Sequence, residues 1–345
     1  MAFSPAPTET TGGIPDKDRP RSSNRSPWVL FFSLILAIVL LYFTLRGLDW
    51  ATFGETITGG HYQFLLLMIP IASLNYLIRA VRWSTLVNTD KKVPLLSIFW
   101  ANMVGYLGNA YLPARAGELI RSVYLGQKSG AGTSFIFATA LVERLLDVIA
   151  LVLIGSVAIL LQSQVSPLLA GAIKLMAVAG LIGLAIVIVV PFQEKLVSRL
   201  IAWVPFPSRI SQIVSAQVAR FLVGMRSLHN VRRLVTFILL TAVIWLLDGI
   251  GNVLGVHIIS QTLSLGQALI LLAALGLSSA IPSTPGYVGV YQFVAVSVLV
   301  PFGFSRPAAL AYTLINQVVG YLIVSFWGLI GLWQVNRSNK TMKER

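Results

Sequence analysis

The sequence predicts an all-α polytopic membrane protein, with about six transmembrane helices plus two re-entrant broken helices in an inverted repeat. Three observations predict it. The chain has 345 residues, of which 56% are hydrophobic and only 11% charged, and its mean hydropathy is +0.80. So little charge does not cover the surface of a soluble domain of this length. Two apolar runs break at the same spacing, Pro113 to Gly117 and Pro282 to Gly286. The two breaks are 169 residues apart, and the same offset pairs Arg79 with Asp248 and Asp147 with Asn316.

The formal net charge of +14 comes from basic residues in short connectors and tails. That placement is the positive-inside pattern, and it fits anionic lipid headgroups rather than nucleic acid. Cysteine is absent, which excludes disulfide and thiolate chemistry. His61, His229 and His257 fall in unrelated segments, and no His-Glu-x-x-His, G-x-x-x-x-G-K-[ST] or G-x-S-x-G run occurs. Metal hydrolysis, nucleotide hydrolysis and serine-esterase chemistry therefore have no motif here. No cofactor is expected, and no motif specifies an oligomeric state.

Residues 1–27 are polar and rich in Pro, Ser and Thr, as in a disordered cytoplasmic tail. Trp28–Leu45 is the first span, a retained anchor rather than a signal peptide. Arg46–Tyr62 reads as its exit loop. Gln63–Trp83 is the second span and ends in Asn75, Arg79, Arg82 and Trp83, followed by Lys91 and Lys92. These basic residues place its end, and both termini, in the cytoplasm. If Pro94–Leu112 crossed, then Arg115, Arg121 and Lys128 would lie outside, so a hairpin that re-enters from the cytoplasm is preferred. Thr133–Leu161 and Pro167–Val190 cross next. Residues 191–233 form a cytoplasmic connector whose apolar residues interleave with basic ones, as in helices lying on an anionic leaflet. Leu234–Ile258 crosses outward, Leu265–Ile281 enters and breaks at Pro282, Pro285 and Gly286, and Tyr287–Val300 returns. Ala308–Val335 is the last span, followed by a basic cytoplasmic tail, 336–345. Two broken hairpins entering from opposite faces are the pattern of inverted-repeat transporters.

Charge inside these apolar runs marks the candidate site. Arg115, Glu118 and Arg121 follow the first break at spacings of three, so they share one helical face. The freed N–H groups of a restarted helix suit a phosphate or carboxylate; the plainer alternative is a solvated amphipathic helix. Glu143 and Asp147 are four apart, with Arg144 between them and able to reach Asp147. Glu143 lies about 15 Å along its helix, near the middle of a bilayer. An isolated charge there costs about 2.5–3.5 kcal/mol on insertion scales, so partners are required, and Arg115, Arg121 and Arg79 are the candidates. The alternative is that the three residues anchor the helix at the interface. Asp248 has no basic neighbour at helical spacing, so its partner must come from another helix. Tyr287, Tyr291 and Gln292 either line a cavity or belong to an aromatic interface belt. Gly251-x-x-x-Gly255 permits close helix packing.

The run Asn109-Ala-Tyr-Leu-Pro-Ala-Arg-Ala-Gly-Glu-Leu-Ile-Arg121, with Glu143-Arg144-Leu-Leu-Asp147 and Ile281-Pro-Ser-Thr-Pro-Gly286 downstream, resembles a known family. It is similar to the lysylphosphatidylglycerol synthase transmembrane-region family, the flippase-like half of the bacterial multiple peptide resistance factor. The resemblance covers about Trp28 to Val335. It implies a polytopic helical protein of the bacterial-type inner membrane that moves a lipid between leaflets. Only Asn336–Arg345 follows, so lysine transfer to phosphatidylglycerol is not expected of this chain.

The expected function is binding and translocation of a phosphate-bearing lipid. Asn109, Arg115, Glu118, Arg121 and Tyr287 would form the substrate site. Glu118, Glu143 and Asp147 would balance the arginines, with Arg79, Arg144 and Asp248 in the ion-pair or coupling network. Pro113, Gly117, Pro282, Pro285 and Gly286 would form the backbone breaks. The competing readings are a membrane-embedded transferase acting on a polyprenyl-phosphate lipid, and a lipid-assembly factor that transports nothing.

Overall fold

The computed structural model describes residues 27–87, 92–112, 116–161, 167–189, 230–279 and 284–343, with the isolated positions 222 and 228. The tail 1–26, Pro113, Arg115, Pro282 and nearly all of the connector 191–229 lie outside the described residues. Within them every regular element is helical. This is what lipid demands, because a helix satisfies its own backbone groups where no water can.

The helices are α1 (Pro27–Leu45), α2 (Trp50–Thr58), α3 (Leu65–Val87), α4 (Leu95–Tyr111), α5 (Ala116–Ser129) and α6 (Thr133–Leu160). There follow α7 (Pro167–Val189), α8 (Val231–Ile258), α9 (Leu265–Ser278), α10 (Val290–Leu299) and α11 (Arg306–Lys343). Among the described residues three stretches are long and apolar enough to cross a membrane: Tyr62–Val87, Val231–Ile258 and Arg306–Arg337. A fourth arises if Leu34–Leu45 and α2, bent by 92°, form one span. Helix α6 has the length, at 28 residues, but it carries Glu143, Arg144 and Asp147. Helices α4, α9 and α10 have 17, 14 and 10 residues, at or below the roughly 17–25 that cross a bilayer.

Two expectations fail locally. The exit loop Arg46–Tyr62 contains α2, because Asp49 caps it by accepting from the N–H groups of Ala51 and Thr52. Its Phe53 and Ile57 pack on the second hydrophobic cluster. The last residues of the presumed connector, Val231 to Arg233, are likewise the first turn of α8, capped by Asn230.

Two hydrophobic cores organise the chain. The first gathers residues of α3, α4, α5 and α6, including Trp83, Ile98, Leu125 and Ile136. The second gathers residues of α8, α9, α10 and α11, including Val256, Leu271, Leu299 and Tyr312. A smaller cluster of Leu151, Ile244, Trp245 and Ala273 joins them. Between the cores α3 packs on α8, α4 packs on α11, and α9 packs on α6. Each half therefore lends its short helix to the long helix of the other.

The α4–α5 hairpin is unusually close. A Cβ on Gly117 would collide with the Gly105 carbonyl and with Asn109, and one on Gly108 would lie 2.8 Å from the Gly117 Cα. Gly117 thus serves the approach of two backbones. At the second break Gly286 has φ +69°, a left-handed conformation that favours glycine. Its carbonyl accepts from Gln317 at 2.6 Å and from the Tyr321 hydroxyl at 2.5 Å. Pro285 opens the short helical turn Pro285–Tyr287. Of the Gly251/Gly255 pair, only Gly255 is tightly packed, against Tyr312; Gly251 borders a cavity.

Candidate functional site

Helix α3 sets Asn75, Arg79 and Arg82 on one face, because residues four and seven apart align on a helix. Helix α6 supplies Glu143, Arg144 and Asp147, α5 supplies Glu118 and Arg121, and α8 supplies Asp248. Six of these side chains form an alternating ladder. Arg144 meets Glu118 at 2.6 Å, Glu118 meets Arg121 at 2.6 Å, and Arg121 meets Glu143 at 3.0 Å. Glu143 meets Arg82 at 2.9 Å, and Arg82 meets Asp147 at 2.6 Å.

The ladder holds three guanidiniums and three carboxylates, so it is electrically neutral. A buried charge is tolerated only when paired and hydrogen-bonded; at the centre of the ladder every charge is paired, while the Nε groups of Arg82 and Arg121 find no acceptor among the described residues. Arg82 is fully buried. It donates to both Asp147 oxygens, at 2.6 and 3.1 Å, to Glu143 and to the Thr241 hydroxyl. This is the two-pronged geometry that a planar guanidinium offers a carboxylate. Arg121, 1% exposed, donates to Asn102 and Glu143 and lies 4.4 Å over the Trp83 ring.

A second, separate pair joins α3 to α8. Arg79 meets Asp248 at 2.6 Å. Asn75 donates to the other Asp248 oxygen at 2.8 Å and to the Ile244 carbonyl at 3.0 Å, and it accepts from Arg79 at 2.9 Å. Arg79 also lies 5.1 Å over Trp245.

Both ends of the ladder and the second pair converge on one cavity of about 480 Å³, between α3, α6, α8, α9, α10 and α11. Its polar wall includes Arg79, Arg144, Asp147 and Asp248. Tyr287 and Tyr291 stack there with ring centroids 4.8 Å apart and planes 11° apart. The Arg144 side chain is 34% exposed and the Asp248 side chain 30%, whereas the middle of the ladder is closed. The cavity wall therefore carries partly exposed charge, backed by charge that is closed in protein.

The structure sorts the residues expected from sequence. Glu143 and Asp147 are buried in a network rather than set out as interface anchors. Asp147 pairs with Arg82, not with Arg144, which turns away to Glu118. Glu118 and Arg121 are buried, so the face after the first break is not a solvated one. Arg121, expected at the substrate phosphate, is enclosed by protein instead. Asn109 donates to Glu118 at 3.3 Å and borders no part of the cavity. Tyr287 lies on the cavity wall, and Gln292 is buried and donates to Gln317. Arg82 is the residue that sequence reasoning passed over, as one of the basic residues marking the cytoplasmic end of its span. The signal that marks it is its share of one apolar helix face with Asn75 and Arg79.

The lysylphosphatidylglycerol synthase TM region family matches residues 30–328. A UPF0104 membrane protein of Pyrococcus horikoshii is 23% identical over 328 residues, which cover 87% of this chain and 94% of that protein.

Proposed function

For a chain that belongs to the lysylphosphatidylglycerol synthase TM region family, we propose that the central cavity binds the phosphate-bearing headgroup of an anionic lipid. The protein then carries that headgroup between the leaflets of the membrane, as a transporter and not an enzyme. One observation carries the reading: a cavity of about 480 Å³ whose charged wall draws on both halves of the chain, Arg79, Arg144 and Asp147 from one and Asp248 from the other.

The volume falls in the range of small-molecule sites, roughly 300–1,000 Å³. Guanidiniums match phosphate oxygens in pairs, which an ammonium cannot do. In the empty cavity the carboxylates hold those guanidiniums, so no unpaired charge is stranded. An arriving phosphate takes the place of Asp248 on Arg79 and of Glu118 on Arg144. Stacked Tyr287 and Tyr291 provide an amphipathic wall for the neutral part of a headgroup. Arg115 and the breaks at Pro113 and Pro282 belong to the proposal on sequence grounds alone.

The transport step follows from an inverted repeat with six spans and two re-entrant hairpins, in a bacterial-type inner membrane with both termini cytoplasmic. Support comes from the contacts that are 169 residues apart: Arg79 with Asp248, and Asn75 with the Ile244 carbonyl. In a pseudo-two-fold arrangement, equivalent residues touch one another only along the axis. The pair Arg79–Asp248 is then the axial latch between halves that rock against each other. Headgroup binding competes for Arg79, loosens that latch, and exposes the cavity to the opposite leaflet.

The test is scrambling or directed transport of fluorescent phosphatidylglycerol in vesicles containing the purified protein. Arg79→Gln and Arg144→Gln should each slow it by about tenfold or more, the scale of one lost charge-assisted bond. Wild-type rates in both variants would refute the cavity as the path.

A further inference from the structure

A second cationic cavity lies away from the central one. It has a volume of about 330 Å³ and is lined by the start of α4 (Ser97, Trp100), the end of α5 (Tyr124, Lys128) and the end of α11 (Gln334, Arg337). Among the described residues its lining holds two cations and no acidic residue. Lys128 donates to the Tyr124 hydroxyl at 3.0 Å and lies over its ring. Arg337 lies 5.6 Å over Trp333. Pro94, Leu96 and Ser97 at the start of α4 border the same space, and Pro94 provides no side-chain cap for the first turn of that helix, whose N–H groups favour an anion.

An apolar groove of about 550 Å³ continues along the same three helices, with Val104, Gly108 and Ile120 on its floor and Leu329 and Leu332 on α11 at its side. The linings interlock. Along α4 they run Leu96, Trp100, Val104, Gly108, and along α5 Ile120, Tyr124, Lys128. Each step is four residues, so each series is one continuous helix face. Leu96 and Leu329 are more than half exposed, and nothing polar interrupts the groove until Tyr111 and Ser325, which bond to each other. From Ser97 to Tyr111 the seam runs about 21 Å at 1.5 Å per residue, somewhat more than the ~15 Å depth of one leaflet's hydrocarbon.

We propose that this seam is a binding site for one anionic phospholipid, its phosphate between Lys128, Arg337 and the start of α4, and an acyl chain along the apolar groove beside α11. The geometry assigns a lipid rather than a free anion because the charged cavity and the apolar groove lie end to end along the same three helices, and a small anion would use only the first of them. The site is separate from the central cavity, with which it shares no lining residue.

Native mass spectrometry of the purified protein, with phosphatidylglycerol or phosphatidylcholine added to the micelles, reads the bound lipid directly. In an Arg144→Gln background, which weakens the proposed headgroup site of the central cavity, the protein should retain one phosphatidylglycerol in preference to phosphatidylcholine. Lys128→Gln with Arg337→Gln should weaken that retention by about tenfold or more, and Leu329→Trp, which fills the groove, should weaken it while leaving the charges in place. Lys128→Arg, keeping the charge, should hold the lipid and so separate a lost site from a lost fold. Wild-type protein should hold a second phosphatidylglycerol, in the central cavity, that the Arg144→Gln protein lacks. Undiminished retention in the charge variant or the groove variant overturns the proposal, and so does loss of the lipid in Arg144→Gln. Displacement of the lipid by millimolar inorganic phosphate would mark a free-anion site and overturn it as well.

Discussion

Arg82 and Arg144 belong to one ladder, but burial gives them opposite consequences. Arg82 is sealed in protein and is shared by Glu143 and Asp147. Arg82→Gln takes the paired guanidinium from Asp147 and leaves Glu143 to Arg121 alone, and removing one partner from a buried pair costs about 3–5 kcal/mol. A thermal-unfolding assay in detergent should show a large fall in melting temperature, or no folded protein. Arg144 is one-third exposed at the cavity. Arg144→Gln should cost about 1 kcal/mol or less, as for partly solvated pairs, and leave a folded protein that transports poorly. If the two variants lose equal stability, Arg144 is a structural member of the ladder and the cavity has lost its exchangeable cation.

Helix contacts carry their own predictions, and glycine is the most direct probe. A methyl group on Gly117 has no room against the Gly105 carbonyl. Gly117→Ala should therefore force α4 and α5 apart, destabilising by about 1–3 kcal/mol or more, as overpacking does. At Gly54 in α2 an added methyl group would meet nothing within 4 Å. Gly54→Ala should be neutral or stabilise by up to about 1 kcal/mol, because alanine is the better helix former. Paired melting curves of the two variants check both signs. The α2 cap also responds to pH. The Asp49 carboxyl is held below its ordinary range by the Thr52 hydroxyl and backbone. A depressed folded value means that the cap's contribution is present at neutral pH and is lost as pH falls through that value. The protection of 50–58 from hydrogen exchange, taken relative to the intrinsic rate at each pH, should fall in acid, and Asp49→Asn should flatten that dependence.

The arrangement of the whole chain in the bilayer is open to a labelling experiment, helped by the absence of cysteine. In the proposed topology α4 and α5 enter and leave from one side. Lys92→Cys and Lys128→Cys should both react with an impermeant thiol reagent only from the cytoplasm. Reaction of position 128 from the outside would make α4 part of a full crossing, and the re-entrant hairpin would be lost. The crossed packing of α4 on α11 and α9 on α6 is the architectural counterpart of that topology, since each short helix finds its apolar support in the opposite half.

Much of this protein was readable without coordinates, and each success has a local cause. Long apolar runs become helices because lipid leaves the backbone no other partner, so Thr133–Leu160 and Val231–Ile258 were placed to within a few residues. The need of Asp248 for a partner on another helix followed from the cost of a lone charge in an apolar run. What stayed hidden was the choice among partners. Glu143 and Asp147 could have been met by several arginines, and Arg82 won because the packing of α3 between α6 and α8 aims it there. Helix α2 was missed because a nine-residue helix depends on its cap and its tertiary contacts more than on composition. The exposure of Arg144 and the closure of Arg121 were equally undecidable, since both are arginines near one glutamate. Local chemistry sets which charges must be paired; the three-dimensional packing of distant helices sets which pair faces the cavity, because burial is a property of neighbours far away in the chain.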